Sequence, residues 1–190
     1  MEKQLYTVGG AIRDELLGLI PSDIDYVAVG YTPEDFLALG YKQVGKDFPV
    51  FLSPEGNEYA LARKERSTGN GYNDFTVDTT DITLEEDLYR RDLTISSMAK
   101  DNLGNIIDPY NGQEDIKRKI LRHTSDAFAE DPLRVLRLAR FRARFGETWS
   151  IAPATKLLVD SMRPKLSSLQ PDRVYAEVQK VMKGRNSHVF

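Results

Sequence analysis

The feature that most constrains this chain is a change of pattern near residue 125. Before it, short runs rich in β-branched and aromatic residues alternate with helix-patterned runs; after it only helical periodicity remains. "KQLYTVGG" predicts a strand ending in glycines, and "AIRDELLG" a helix with Ile12, Leu16 and Leu17 on one side and Gly18 past its end. "DIDYVAV" predicts a strand. "TPEDFLALG" carries full helix punctuation: Thr32 as N-cap, Pro33 at the first position, acids in the first turn and Gly40 at the stop. "FPVFLSP" and "EYALAR" predict a strand pair around the turn "SPEGN". The polar, glycine-containing "KERSTGNGYNDFTVDTT" predicts a long flexible loop. "TLEEDLYRRD" predicts a helix from Thr83, "NIIDPY" a last strand and "GQEDIKRKIL" another helix. Three further helices follow in "AEDPLRVLRLARFRARFG", "PATKLLVDSM" and "PDRVYAEVQKVM". The expected organisation is an α+β domain over residues 1–125 and a helical region over 126–190.

Composition narrows the chemistry. With no cysteine, thiolate nucleophiles, disulfides and cysteine zinc sites are excluded, and the two histidines, His123 and His188, lie too far apart for a local metal motif. The N-terminus lacks the apolar run of a signal peptide, and no stretch approaches the roughly 20 apolar residues of a membrane span. A soluble cytoplasmic protein is expected. Net charge is −3, but charge is unevenly placed: Lys117 to Arg144 holds nine basic residues against three acids, and Asp74 to Asp92 seven acids against two arginines. A basic segment in an acidic chain suits either phosphate binding or a solvated helix face.

Asp23 and Asp25 are spaced to share one face of the predicted strand. Two carboxylates so close repel unless a cation sits between them, and oxygen-only ligation suits Mg²⁺ completed by substrate phosphates. An Asp-x-Asp is equally an ordinary strand opening, and the pair alone leaves both readings open. Gly9 and Gly10 join a strand to a helix, where backbone N–H groups receive a phosphate or where a tight turn merely needs glycine. Arg13 lies on the first turn of that helix, so cradle, arginine and carboxylate pair fall within the 17 residues from Gly9 to Asp25.

Two more groups stand out. Arg90, Arg91 and Asp92 are consecutive charges before an apolar segment, readable as a solvated helix end or as a rigid donor set for phosphate or ribose. Arg134, Arg137, Arg140 and Arg144 form a slowly drifting stripe, with Leu133, Leu136, Phe141 and Phe145 elsewhere around the helix. Arginine at all four positions suits planar recognition of phosphates or bases. Asp131 and Arg134 are predicted on one helical face, an acceptor beside a donor. That pair complements the amino group and ring nitrogen of cytosine or adenine, not uracil or guanine.

The order "GGAIRDELLG…DIDYVAVG", "EEDLYRRDLTISSMA", "IIDPYNG" and "LRHTSDAFAEDPLRVLRLARFRARFG" resembles the bacterial tRNA nucleotidyltransferase / poly(A) polymerase family, most closely its enterobacterial type of CCA-adding enzyme. The resemblance covers nearly the whole chain. It implies a DNA polymerase β-like nucleotidyltransferase head, with a mixed or antiparallel sheet and helices, followed by a helical neck. The implied activity is template-independent addition of C and A to the 3′ end of tRNA from CTP and ATP, releasing pyrophosphate through a two-metal Mg²⁺ mechanism. It further implies that Asp23 and Asp25 hold the metal, and that Gly10, Arg13 and Arg91 contact the nucleotide. By the same resemblance Asp131 and Arg134 read the incoming base, and Arg137 and Arg140 make further nucleotide contacts. The segment near residues 64–82 resembles the flexible loop associated with the switch from C to A addition. Two departures bear on this. "TISSMA", with Ser96 and Ser97, stands where the family has "TINAMA"-like residues, and a third carboxylate is represented only by the candidate Glu58. "GRNSHVF" resembles a segment after which the family continues into body and tail helices that hold tRNA, so missing helices or a partner chain belong to the expectation. Poly(A) polymerase activity, partial CCA addition, or a head that binds nucleotide or tRNA without full activity are the alternatives.

Overall fold

The computed structural model describes residues 1–44, 50–67, 75–78 and 81–183. Strand β1 (Gln4–Val8) runs into helix α1 (Gly10–Leu16), and Gly9 makes the corner at φ 75°, in the left-handed region that favours glycine. Ile12 is fully buried on α1 and Leu17 packs beside it, but Leu16 is exposed, contrary to the predicted stripe. The helix is only two turns long, and Leu16 lies at its open end. Strand β2 (Asp25–Val29) begins at Asp25, so Asp23 sits in the preceding irregular segment rather than in the strand. Helix α2 (Pro33–Ala38) is closed by a reciprocal Thr32–Asp35 capping box.

An unpredicted short strand, β3 (Lys42–Val44), precedes the expected antiparallel pair β4 (Val50–Leu52) and β5 (Glu58–Leu61). Strands β6 (Lys64–Ser67) and β7 (Phe75–Asp78) pair antiparallel, so the two ends of the predicted loop form a ribbon. The alternating KERS and FTVD runs carry ladder hydrogen bonds that the glycines between them disguise; residues 68–74 and 79–80 of the predicted loop lie outside the described residues. Helix α3 (Leu84–Tyr89) has the Thr83–Glu86 capping box that its sequence announces. Short strands β8 (Ala99–Lys100) and β9 (Ile106–Ile107) follow.

Helix α4 (Gly112–Arg118) stops before the predicted end because Lys119 turns left-handed, at φ 56°. Ile120 and Leu121 then form strand β10 (Ile120–Leu121), which pairs in parallel with β11 (Ser150–Ile151), placed after helix α5 (Leu133–Phe145). The region after residue 125 is therefore not purely helical. Helices α6 (Pro153–Met162) and α7 (Pro171–Met182) complete the described chain, each opening on proline.

The main sheet has the order β3-β4-β5-β2-β1-β8-β9 and is antiparallel except between β2 and β5. One core joins the α+β part to the helices: Ile12, Leu93, Ile95 and Met98 pack with Leu138, Phe141, Trp149 and Met162. Burying these side chains contributes on the order of 1.5–3 kcal/mol each. It also locks α5 against α1, and the opening left between them is the site.

Candidate active site

A cleft of about 700 Å³ opens between the β1–α1 corner, the start of β2, the end of α3, and helices α5 and α7. The nine residues assigned to metal and nucleotide line it: Gly10, Arg13, Asp23, Asp25, Arg91, Asp131, Arg134, Arg137 and Arg140. Ten lining side chains are basic and five are carboxylates, so the cleft is built for an anion.

The arginine stripe of α5 is not a solvated face. Arg134 and Arg137 both bond Asp92, Arg134 through Nε at 3.3 Å. Arg134 also donates Nη1 to the Ala127 carbonyl at 2.9 Å and is buried. Arg140 donates to Glu177 of α7 at 2.6 Å and lies over the Phe141 ring, and Arg144 reaches Asp14 of α1 at 3.0 Å. The stripe thus ties α5 to Asp92 through two arginines, to α7 through Arg140 and to α1 through Arg144.

The Arg90–Arg91–Asp92 triplet is split rather than acting as one donor set. Asp87, fully buried on α3, accepts from Arg90 Nη2 at 2.8 Å and Arg91 Nη2 at 3.0 Å, while Asp92 turns to α5. Burial alone would raise the Asp87 pKa, but Arg91 and Arg90 hold it below the ordinary carboxylate value. A neighbouring chain of bonds holds Arg13. Its Nε donates to Asp14 at 2.9 Å, its Nη1 to Ser96 at 3.1 Å, and its guanidinium lies over Phe141 and Phe145. Burial pulls the Arg13 pKa below its usual value, and Asp14 opposes that shift.

Asp131 precedes α5 in extended backbone instead of sharing its helical face with Arg134. Its carboxylate accepts from the Leu133 N–H at 3.0 Å and pairs with Arg173 of α7 at 2.8 Å. Both members of the pair nevertheless line the cleft.

Asp23 and Asp25 differ from the other three carboxylates. Asp14, Asp92 and Asp131 are each ion-paired with arginine, whereas Asp23 and Asp25 are exposed and, among the described residues, neither has an ion pair. Among the described residues Asp23 accepts only the Ser22 hydroxyl, at 2.7 Å. Glu58 stands directly beside Asp25 in the parallel β2–β5 register, exposed, though it is not among the residues that line the cleft. Among the described residues no cluster of three or more His, Asp or Glu side chains forms a ready metal cage.

Sequence reasoning missed Asp14, Asp87, Ser96, Arg144 as an ion-pair partner, and Arg173. Asp87 was within reach, since it precedes Arg90 and Arg91 by three and four residues on a helix. Asp14 and Arg144 are 130 residues apart and carry no such signal.

Residues 5–122 match the family described as the poly(A) polymerase head domain. A CCA-adding enzyme of Blochmanniella pennsylvanica is 55% identical over 193 residues, spanning all of this chain and 47% of that protein. The Bacillus stearothermophilus CCA-adding enzyme in complex with CTP superposes with a TM-score of 0.80 at 33% identity, over 97% of this chain and 46% of that one. The Thermotoga maritima CCA-adding enzyme complexed with tRNA gives a TM-score of 0.75 at 28% identity, over 98% and 45% of the two chains. The α+β fold, with its largely antiparallel sheet and following helices, matches theirs, and the chain spans about half the length of these relatives.

Proposed function

Because the chain belongs to the poly(A) polymerase head-domain family, we propose that it transfers C and A to the 3′ end of tRNA from CTP and ATP, without a nucleic-acid template and with release of pyrophosphate. The observation that carries this reading is the pair Asp23 and Asp25, the cleft carboxylates with no ion pair among the described residues, set in an otherwise basic cleft. Proteins of this family generally use divalent metal ions. Two exposed oxygen donors fit such an ion, and Mg²⁺ suits them best because it retains water and takes remaining ligands from phosphates. Asp23 and Asp25 would hold it, and when bound it stabilises the attacking and leaving oxygens of an in-line displacement.

The chain's own residues supply binding and orientation. Arg13, Arg91 and the backbone at Gly10 receive the triphosphate, and Arg137 and Arg140 add positive charge along the same wall. Asp131 offers an acceptor and Arg134 a donor, the complement of cytosine or adenine. Among the described residues, Arg134 Nη2 is the guanidinium nitrogen that its contacts with Asp92 and Ala127 leave available. Residues 1–125 form the nucleotidyltransferase head and 126–190 the neck in this reading. No described helix is long and apolar enough to cross a membrane. Work on tRNA ends with free nucleotides suits a cytoplasmic location.

Incorporation of labelled CTP and ATP, separately and together, into tRNA transcripts ending before CCA, after C and after CC tests the proposal. Addition that stops after CCA supports it. Runs of A on any RNA would make the chain a poly(A) polymerase instead, and nucleotide binding without incorporation would make it a binding head.

A further inference from the structure

The two arginines assigned to the triphosphate share an arrangement that the transfer reaction alone does not require. Each is held on its inner side by a buried aspartate, Arg13 with Ser96 as a second acceptor. Arg13 gives Nε to Asp14 and Nη1 to Ser96; Arg91 gives Nε, at 3.2 Å, and Nη2, at 3.0 Å, to Asp87. The nitrogens left over, Arg13 Nη2 and Arg91 Nη1, make no hydrogen bond among the described residues. Both point to the diglycine corner. A Cβ placed on Gly10 would lie 3.2 Å from Arg13 Nη2, and one on Gly9 would lie 3.1 Å from Arg91 Nη1. The glycines therefore do more than turn the chain: they make room for two guanidinium tips at the mouth of α1.

Neither aspartate is free to serve the nucleotide directly. Asp87 is completely buried, with Arg90 and the Arg63 N–H also on its oxygens. Asp14 is 5% exposed and spends its second oxygen on Arg144 of α5. Carboxylates beside a phosphate site weaken anion binding through space, so their presence there needs a compensating role.

We propose that Asp14 and Asp87 are positioning residues for the phosphates of the incoming nucleotide: each clamps the inner edge of one guanidinium, so that Arg13 Nη2 and Arg91 Nη1 converge over Gly9 and Gly10. The clamp through Asp14 also couples this point to α5, because Arg144 holds the same carboxylate. The inference rests on the reading of the cleft as a nucleotide site.

Charge and orientation make opposite predictions here. Neutralising either aspartate makes the cleft more positive, so an effect of charge alone tightens phosphate binding. Loss of orientation weakens it. Equilibrium binding of CTP, CMP and pyrophosphate to the whole chain, in wild type, Asp87→Asn and Asp14→Asn, separates the two. The expected result is about tenfold weaker binding of CTP and pyrophosphate in each variant, the loss of one oriented charge-assisted hydrogen bond. CMP, which lacks the β- and γ-phosphates, keeps its affinity. A general loosening of the fold would weaken CMP as well and would overturn the inference, as would unchanged or tighter pyrophosphate binding. If Asp87→Asn does not fold, Asp14→Asn decides, since its other partner Arg144 is half-exposed and tolerates release. A wild-type chain that binds neither CTP nor pyrophosphate would remove the nucleotide reading of the cleft itself, and the inference with it.

Discussion

Glu177→Gln is the perturbation that tests how α7 is held over the cleft. Glu177 is 3% exposed, accepting Arg140 Nε at 2.6 Å and Lys180 Nζ at 3.0 Å. A charge-assisted bond of this kind contributes roughly 1.5–3 kcal/mol, and the neutral bond a glutamine retains about 1 kcal/mol. The Lys180 side chain is mostly exposed, so its pair adds at most about 0.5 kcal/mol. The variant is therefore expected to lose about 1–2 kcal/mol near neutral pH. The pH dependence has a definite sign. Burial would raise the Glu177 pKa, but Arg140 and Lys180 hold it below its ordinary value of 4.5. A carboxyl depressed on folding stabilises fully above its unfolded pKa, and that stabilisation is lost as pH falls through the folded value. Urea denaturation of both proteins from about pH 7 to about pH 3 reads this directly. The gap should be full at neutral pH and close in acid, where protonated glutamate resembles glutamine. A gap that stays constant with pH, or no gap at neutral pH, would refute the assignment of the Arg140–Glu177 pair as the joint.

Asp25→Ala should abolish incorporation while leaving thermal stability unchanged or slightly raised, because Asp25 is exposed and lies beside the like-charged Glu58; an active variant would sink its role in holding metal. Gly112→Ala should lower the melting temperature, since a Cβ there would lie 2.3 Å from the Thr94 carbonyl oxygen. The overpacking cost of about 1–3 kcal/mol exceeds the roughly 1 kcal/mol gained in helix propensity, and calorimetry showing no loss would contradict that packing. Arg134→Ala should cost roughly 2–4 kcal/mol in chemical denaturation, because it strips a buried partner from Asp92 and the Ala127 carbonyl. A loss under about 0.5 kcal/mol would mean that those contacts are not stabilising.

Much of this was legible in the chain. The capping residues Thr32 and Thr83, the glycine corner and the α5 arginine stripe are local signals, and the structure has them where expected. The nine site residues converge because one cluster presses α5 onto α1 while another packs β1, β2 and α3 together. What escaped was non-local. The two-residue strands β10 and β11 exist only through each other, and no run that short has a period to read. Spacing predicts Asp131 on a helix, yet it lies in extended backbone before α5, where its carboxylate accepts the Leu133 N–H. Asp92 turns away from Arg90 and Arg91 to Arg134 and Arg137 of α5, partners far along the chain that charge order cannot supply.

The most direct test of the account is to measure the affinities of CTP, ATP, UTP and GTP, with Mg²⁺, for wild type and for a folded Arg134 variant such as Arg134→Lys. The account predicts that wild type favours CTP and ATP over UTP and GTP by about tenfold or more, and that this preference collapses in the variant. Four equal affinities in wild type, or a preference that survives the substitution, would contradict the claim that this cleft reads the base through Asp131 and Arg134.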